Sequence, residues 1–248
     1  MSEKIQKILA AAGIASRRQV ETMISDGRIT VNGAIAQLGE RMTHHDKVCI
    51  DGREVKLNKS LNQKTRVLLY HKPEGEMCTR HDPEGRPTIF ERLPLIRNSR
   101  WICVGRLDYN TSGLLLISND GELANLLMHP RQAVEREYAV RIRGDITAEI
   151  TSRLLKGVML DDGIARFEKM VTAGGTGTNH WLHVIVKEGR NRLVRRLFES
   201  QNLTVSRLMR VRYGNVYLPS NLKRGRYVEL TPDEMTLLFD FVKFVQQP

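Results

Sequence analysis

The chain has 248 residues, 39 of them Lys or Arg and 28 Asp or Glu, for a formal net charge of +11. Its hydrophobic content of 41% is ordinary for a folded chain. A mean hydropathy of −0.35 and the lack of any long apolar run argue against a membrane span. The first residues, from Met1 to Lys7, lack the apolar core of a secretory signal, and Cys49, Cys78 and Cys103 form no Cys-x-x-Cys pair. A cytoplasmic protein without a disulfide framework or a bound metal is expected, and the positive excess points to a polyanionic partner.

In chain order, Ile5, Ile8, Leu9 and Ala12 have the spacing of an amphipathic helix over residues 3–12, with Gly13 placed to end it. Ser16 and Gln19 form a capping box for a second helix, whose apolar stripe is Val20, Met23 and Ile24 and whose end is marked by Gly27. Arg17 and Arg18 fall in its first turn, where the helix dipole disfavours cations and a phosphate partner would explain them. Asn32-Gly33 and Asp51-Gly52 each separate two short apolar runs and predict β-hairpins. Asn58 to Lys64 is polar and aperiodic, a linker. The expected division is a small domain over 1–60, a connection at 61–64 and a larger domain over 65–248.

The larger domain shows no regular β-helix-β alternation, so an α+β fold with a mixed, mainly antiparallel sheet is expected. Strands are predicted at Arg66 to His71, Trp101 to Val104, Gly113 to Ser118, Glu137 to Arg143 and Trp181 to Lys187. Helices are predicted over Glu122 to Met128 and Arg192 to Gln201, with a final one opened by Thr231-Pro232-Asp233-Glu234. Between Lys187 and Arg226 there are eleven basic residues against two acids, Glu188 and Glu199. A solvated face normally mixes both signs, so this run reads as a nucleic-acid contact.

Asp108 lies in Gly105-Arg106-Leu107-Asp108-Tyr109-Asn110-Thr111-Ser112-Gly113, a loop between two apolar strands. By pattern alone it is either a functional carboxylate presented on a loop or a turn aspartate bonded to its own backbone.

Gly105-Arg106-Leu107-Asp108 with Thr111, Gly113-Leu114-Leu115 and Asp120-Gly121 resembles the signature of the pseudouridine synthases. Lys72-Pro73 with Gly75, Tyr138 in Arg136-Glu137-Tyr138, and Glu188-Gly189-Arg190-Asn191-Arg192-Leu193-Val194-Arg195-Arg196 match the family in order. Lys7 to Ala10, Gly13 to Arg18 and Gly27 to Gly33 resemble the S4 RNA-binding domain, found in the ribosomal RNA branch of that family. His71 to Glu76, His81 to Thr88 and Arg131 to Tyr138 look like its large-subunit members.

The resemblance implies isomerisation of a uridine in the peptidyl-transferase region of 23S rRNA, with no cofactor or metal. The expected partner is 23S rRNA or a large-subunit assembly intermediate, and the expected state is a monomer. Asp108 would be the essential carboxylate, Arg195 its ionic partner, Tyr138 the residue stacked on uracil and Val194 the apolar floor. Arg106 would fill the space left by the flipped base. Arg17, Arg18, Arg28, Lys72, Arg190, Arg192 and Arg196 would contact RNA. Where many relatives carry His and Gln, this chain has Arg192 and Leu193, so base-edge contacts there are not carried over. Open alternatives are a sister specificity on another rRNA uridine, a non-catalytic rRNA-binding assembly factor and a DNA-binding regulator.

Overall fold

The computed structural model describes residues 2–57, 64–176 and 179–246. Most of the expected linker lies outside the described residues. The chain divides into two compact units: Met1–Thr65 with Pro94–Ile102 and Asn119–Gly121, and Arg66–Leu93 with Cys103–Ser118 and Glu122–Pro248.

The smaller unit runs β1 (Glu3–Lys4), α1 (Ile5–Ala11), α2 (Arg17–Ser25), β2 (Ile29–Val31), β3 (Ala34–Ile35), β4 (Arg41–Met42), β5 (Val48–Ile50) and β6 (Arg53–Val55). The first helix begins two residues later than its periodicity suggests, because Glu3 and Lys4 pair with Met42 and Arg41. The second helix has the expected cap: Ser16 Oγ accepts from the Gln19 amide at 3.2 Å and the Gln19 side chain accepts from the Ser16 amide at 2.9 Å. Both hairpins form, with positive φ at Asn32 and Gly33 (51° and 87°) and at Asp51 and Gly52 (51° and 74°), as two-residue turns of this hand require. Ile5, Ile8, Leu9, Val20, Ile24, Ile29 and Val48 close a common core. Burying each large side chain contributes about 1.5–3 kcal/mol before entropy is charged against it.

The larger unit continues with β7 (Val67–Lys72), β8 (Ile102–Val104), β9 (Ser112–Ser118), α3 (Gly121–Met128), β10 (Arg136–Arg143), α4 (Ala148–Lys156), β11 (Val158–Leu160), β12 (Gly163–Ala165) and β13 (Lys169–Thr176). It ends with β14 (Asn179–Val186), α5 (Leu193–Glu199), β15 (Thr204–Tyr213), β16 (Val216–Tyr217), β17 (Tyr227–Glu229) and α6 (Pro232–Gln246). Its main sheet has the order β13-β14-β10-β15-β9-β7-β17, with β16 on β15 and β8 on β9. Every neighbouring pair along that order is antiparallel except β15 and β9, which run parallel with Met209 opposite Ser112 and Arg210 opposite Gly113. This is the expected mixed, mainly antiparallel α+β architecture.

The two sides of that parallel seam differ. Strands β7 and β9 are buried at every position, whereas β14 alternates between buried and partly exposed residues. Gly113 makes the seam possible: a Cβ there would lie 2.2 Å from the Arg210 carbonyl oxygen, and its φ is +108°. On one face of the outer strands, Leu193, Val194, Leu197 and Phe198 of α5 pack with Val140, Ile142, Leu182 and Val184. Helix α5 is shorter than the basic run suggested, because Arg192 and Asn202 take left-handed backbone (φ 49° and 58°) on either side of it.

Candidate active site

Asp108 sits on the loop between β8 and β9, and five consecutive carbonyls of that loop are engaged. Cys78 Sγ donates to Leu107 at 3.4 Å, Lys72 Nζ to Asp108 at 3.1 Å and to Thr111 at 3.0 Å, the Gly75 amide to Tyr109 at 2.9 Å, and an Arg195 terminal nitrogen to Asn110 at 2.8 Å. The Thr111 amide closes the turn by donating to the Asp108 carbonyl at 3.0 Å. The main chain is therefore fixed from four directions. The half-buried Asp108 carboxylate has no hydrogen bond or ion pair among the described residues. A turn aspartate bonded to its own backbone would have its carboxylate occupied; this one is held in place by its backbone alone.

Arg195 and Asp108 belong to one cluster without forming the expected ion pair. The buried Arg195 guanidinium donates to the carbonyls of Asn110 and Val205, at 2.8 and 3.1 Å, and its Nε has no partner. Burial pulls the guanidinium's pKa down and Arg192 adds to that, while the Asp108 charge opposes both. Arg195 thus braces the loop against β15 and supplies a positive field at close range. Tyr138, on β10 opposite Arg210 and Val184, is half-buried and packs on the apolar cluster that contains Val194. Arg106 is exposed on the Asp108 loop.

The expected RNA contacts divide into two groups. Arg17 and Arg18 are exposed without an ion pair among the described residues, and Arg192 is exposed with only a loose approach to Glu199 at 3.7 Å. The others need correction. Lys72 is fully buried and its three protons go to the carbonyls of Pro73, Asp108 and Thr111, so it cannot meet RNA in this state. Burial lowers its pKa, with Cys78, Glu76, Asp108 and Glu74 opposing that shift.

Arg190 and Arg196 are taken up by Asp162, on the turn between β11 and β12. Arg196 holds both carboxylate oxygens at 2.9 and 2.8 Å, and Arg190 approaches at 3.0 Å while also donating to the carbonyls of Gly163 and Ile164. Arg28 is likewise paired with Asp51, through contacts of 2.8 and 2.6 Å. Arg190 also pairs with its neighbour Glu188 at 2.6 Å, but Asp162 and Asp51 come from distant stretches of chain, which a local count of charges misses. Asp162 was findable, since an Asp-Asp-Gly turn inside a basic domain is a hairpin signal with two acids at its tip.

Sequence comparison bears on this geometry directly. The family model of RNA pseudouridylate synthase matches residues 66–200, which span the Asp108 loop, Tyr138 and Arg195. The chain belongs to this family. The S4 domain model matches residues 3–48. A protein of Pseudomonas aeruginosa named ribosomal large subunit pseudouridine synthase B is 56% identical over 98% of this chain, which spans 63% of that relative's length. Relatives of the same name from Vibrio cholerae and Escherichia coli are 57% and 53% identical, again over 98% of the chain, and are spanned to 76% and 84% of their lengths. A crystal structure of a pseudouridylate synthase superposes with a TM-score of 0.66 at 23% identity, over 95% of this chain and 99% of the other, and shows the same fold.

Proposed function

We propose that the chain isomerises one uridine of large-subunit ribosomal RNA to pseudouridine, in the peptidyl-transferase region of 23S rRNA. The reaction breaks the N1–C1′ bond and forms C5–C1′; the proton lost from C5 is balanced by one gained at N1, so no electrons are exchanged. The step calls for a fixed, ionised carboxylate close to the ribose. The observation that carries this reading is the Asp108 loop, whose carbonyls from Leu107 to Thr111 are all engaged while its carboxylate is left free for a substrate.

In this reading Asp108 acts on the ribose or its glycosidic bond, beside the positive field of Arg195. Tyr138 stacks on the uracil, Val194 contributes apolar surface beneath it, and Arg106 enters the space left when the base leaves its stack, a displacement that costs a few kcal/mol. Arg17, Arg18 and Arg192 are the cations left for phosphates. The names of the relatives support a large-subunit substrate.

The test is site-specific pseudouridine mapping of rRNA from a deletion strain complemented with either wild type or Asp108→Asn. The expected result is one modification lost in the deletion, restored by wild type and absent with Asp108→Asn, whose RNA affinity stays close to wild type. Restoration by Asp108→Asn would overturn the catalytic assignment, and a full set of modifications in the deletion strain would favour an assembly factor.

A further inference from the structure

Helices α4 and α5 cover only one face of the four outer strands, through Leu154, Leu193, Val194, Leu197 and Phe198. Strand alternation sends the intervening residues to the opposite face, and the register aligns them across the sheet. Trp181 of β14 lies opposite Gly174 of β13 and Arg141 of β10, and Arg141 lies opposite Arg207 of β15. One row across four strands thus reads Gly174, Trp181, Arg141, Arg207. At about 4.8 Å between strands it spans about 14 Å.

This row is accessible to solvent at both ends, at Gly174 and Arg207. Val171, one row over, is 46% exposed, Lys169 and Arg207 are exposed, and Trp181 and Arg141 are half-buried. Its charge is one-sided. The acid on this face, Glu137, already accepts from Arg212 at 2.9 Å and from His183 at 2.8 Å. Neither Lys169 nor Arg207 has an ion-pair partner among the described residues. Gly174 leaves free space at the edge of the row: no atom of the described residues comes within 4 Å of where its Cβ would be.

We propose that this sheet face binds a single-stranded segment of RNA, with a base stacked on Trp181 and phosphates held by Arg141 and Arg207. Four-stranded sheets carrying aromatic side chains stack two or three bases on this scale, and guanidiniums beside an aromatic ring suit the alternation of base and phosphate. The unbalanced cations suit a polyanion, as a one-signed basic patch does. The proposal rests on RNA being the substrate, but on residues that take no part in the reaction.

The experiment titrates the full-length protein with labelled dodecauridylate and dodecacytidylate. Stacking tolerates any base, so both are expected to bind and to quench tryptophan fluorescence. Trp181→Ala and Arg207→Ser, the second at an exposed position that leaves the fold intact, are each expected to weaken both oligomers by about fivefold or more. Trp181→Phe should retain binding and lose the quenching.

Wild-type affinity in both weakening variants would overturn the proposal and return the face to solvent or to a protein partner. Quenching that persists in Trp181→Phe, whose remaining tryptophan is Trp101, would do the same. So would binding of the uridylate alone, which would mark the uracil site. No turnover is measured, so failure here is separable from failure of the catalytic reading, which appears only as pseudouridine formed by Asp108→Asn.

Discussion

Lys72 Nζ donates to the main-chain carbonyl of Asp108 at 3.1 Å from a position with no solvent exposure. A cation expected on the RNA surface is instead the internal brace of the loop that presents the carboxylate. It joins the end of β7 to both ends of the turn, at Asp108 and Thr111.

Replacing Lys72 with Met therefore strands the Pro73 and Thr111 carbonyls, while the Asp108 carbonyl keeps the Thr111 amide. Each unsatisfied group costs about 1–3 kcal/mol, partly relieved by water entering, so a loss of about 2–4 kcal/mol is expected. Urea denaturation measures it. Turnover should fall more than RNA affinity does, because the loop is misplaced while the outer cations remain.

Asp162→Asn removes the counter-charge that Arg190 and Arg196 share, freeing Arg196 and leaving Arg190 with Glu188. Affinity for non-specific RNA at low salt should rise, and the slope of log affinity against log salt should steepen by about 0.7–0.9 for each added phosphate contact. A slope unchanged from wild type would mean that Arg190 stays on the Gly163 and Ile164 carbonyls and Arg196 on that of Asn191.

Acid sensitivity should show at Asp82. Hydrogen bonds from the Arg86 side chain, at 2.8 and 3.0 Å, and from its amide, at 2.9 Å, hold this carboxyl at about 2. A folded-state pKa below the unfolded value of about 3.9 stabilises fully above that value and is lost as pH falls toward 2. The difference in urea midpoint between wild type and Asp82→Asn should be constant from pH 7 to about 5 and shrink between about pH 4 and pH 2. A difference that held its size at pH 2 would contradict this assignment.

Gly113→Ala should be among the most damaging single-methyl changes in the chain. The added carbon would meet main-chain atoms of Arg210 at 2.2, 2.5 and 2.9 Å, and main chain cannot swing aside as a flexible side chain can. Loss of soluble protein, or a drop in melting temperature of more than about 5 °C, is expected.

The sequence disclosed what depends on neighbours along the chain. The capping boxes at Ser16 and Thr231, both Asx-Gly hairpins and the strand through Asp108's neighbours are local, and each appears where its residues place it. Contacts made over long separations were hidden. Lys72 meets Asp108 across 36 positions and Arg196 meets Asp162 across 34, so a charge count along the run from Lys187 to Arg226 took paired arginines for free ones. Strand β15 was hidden for a related reason. Its alternation carries Arg207, Arg210 and Arg212, and a buried arginine such as Arg210, whose Nε donates to the Leu114 carbonyl at 2.8 Å, breaks the apolar-polar rhythm by which a strand is read. The Asp108 loop was recognisable by resemblance, while the occupancy of its carbonyls required coordinates.

The parallel seam has a mechanical side. Among the described residues, the hydrogen-bonded connection between the outer strands and the Asp108 end of β9 is carried by the pairs Met209–Ser112 and Arg210–Gly113, by Arg210 Nε on the Leu114 carbonyl and by the Arg195 guanidinium spanning Val205 and Asn110. A load placed on β10, β14 or β15 reaches the reactive loop through that connection. The outer strands thus act on the carboxylate through a handful of atoms at the centre of a broad sheet.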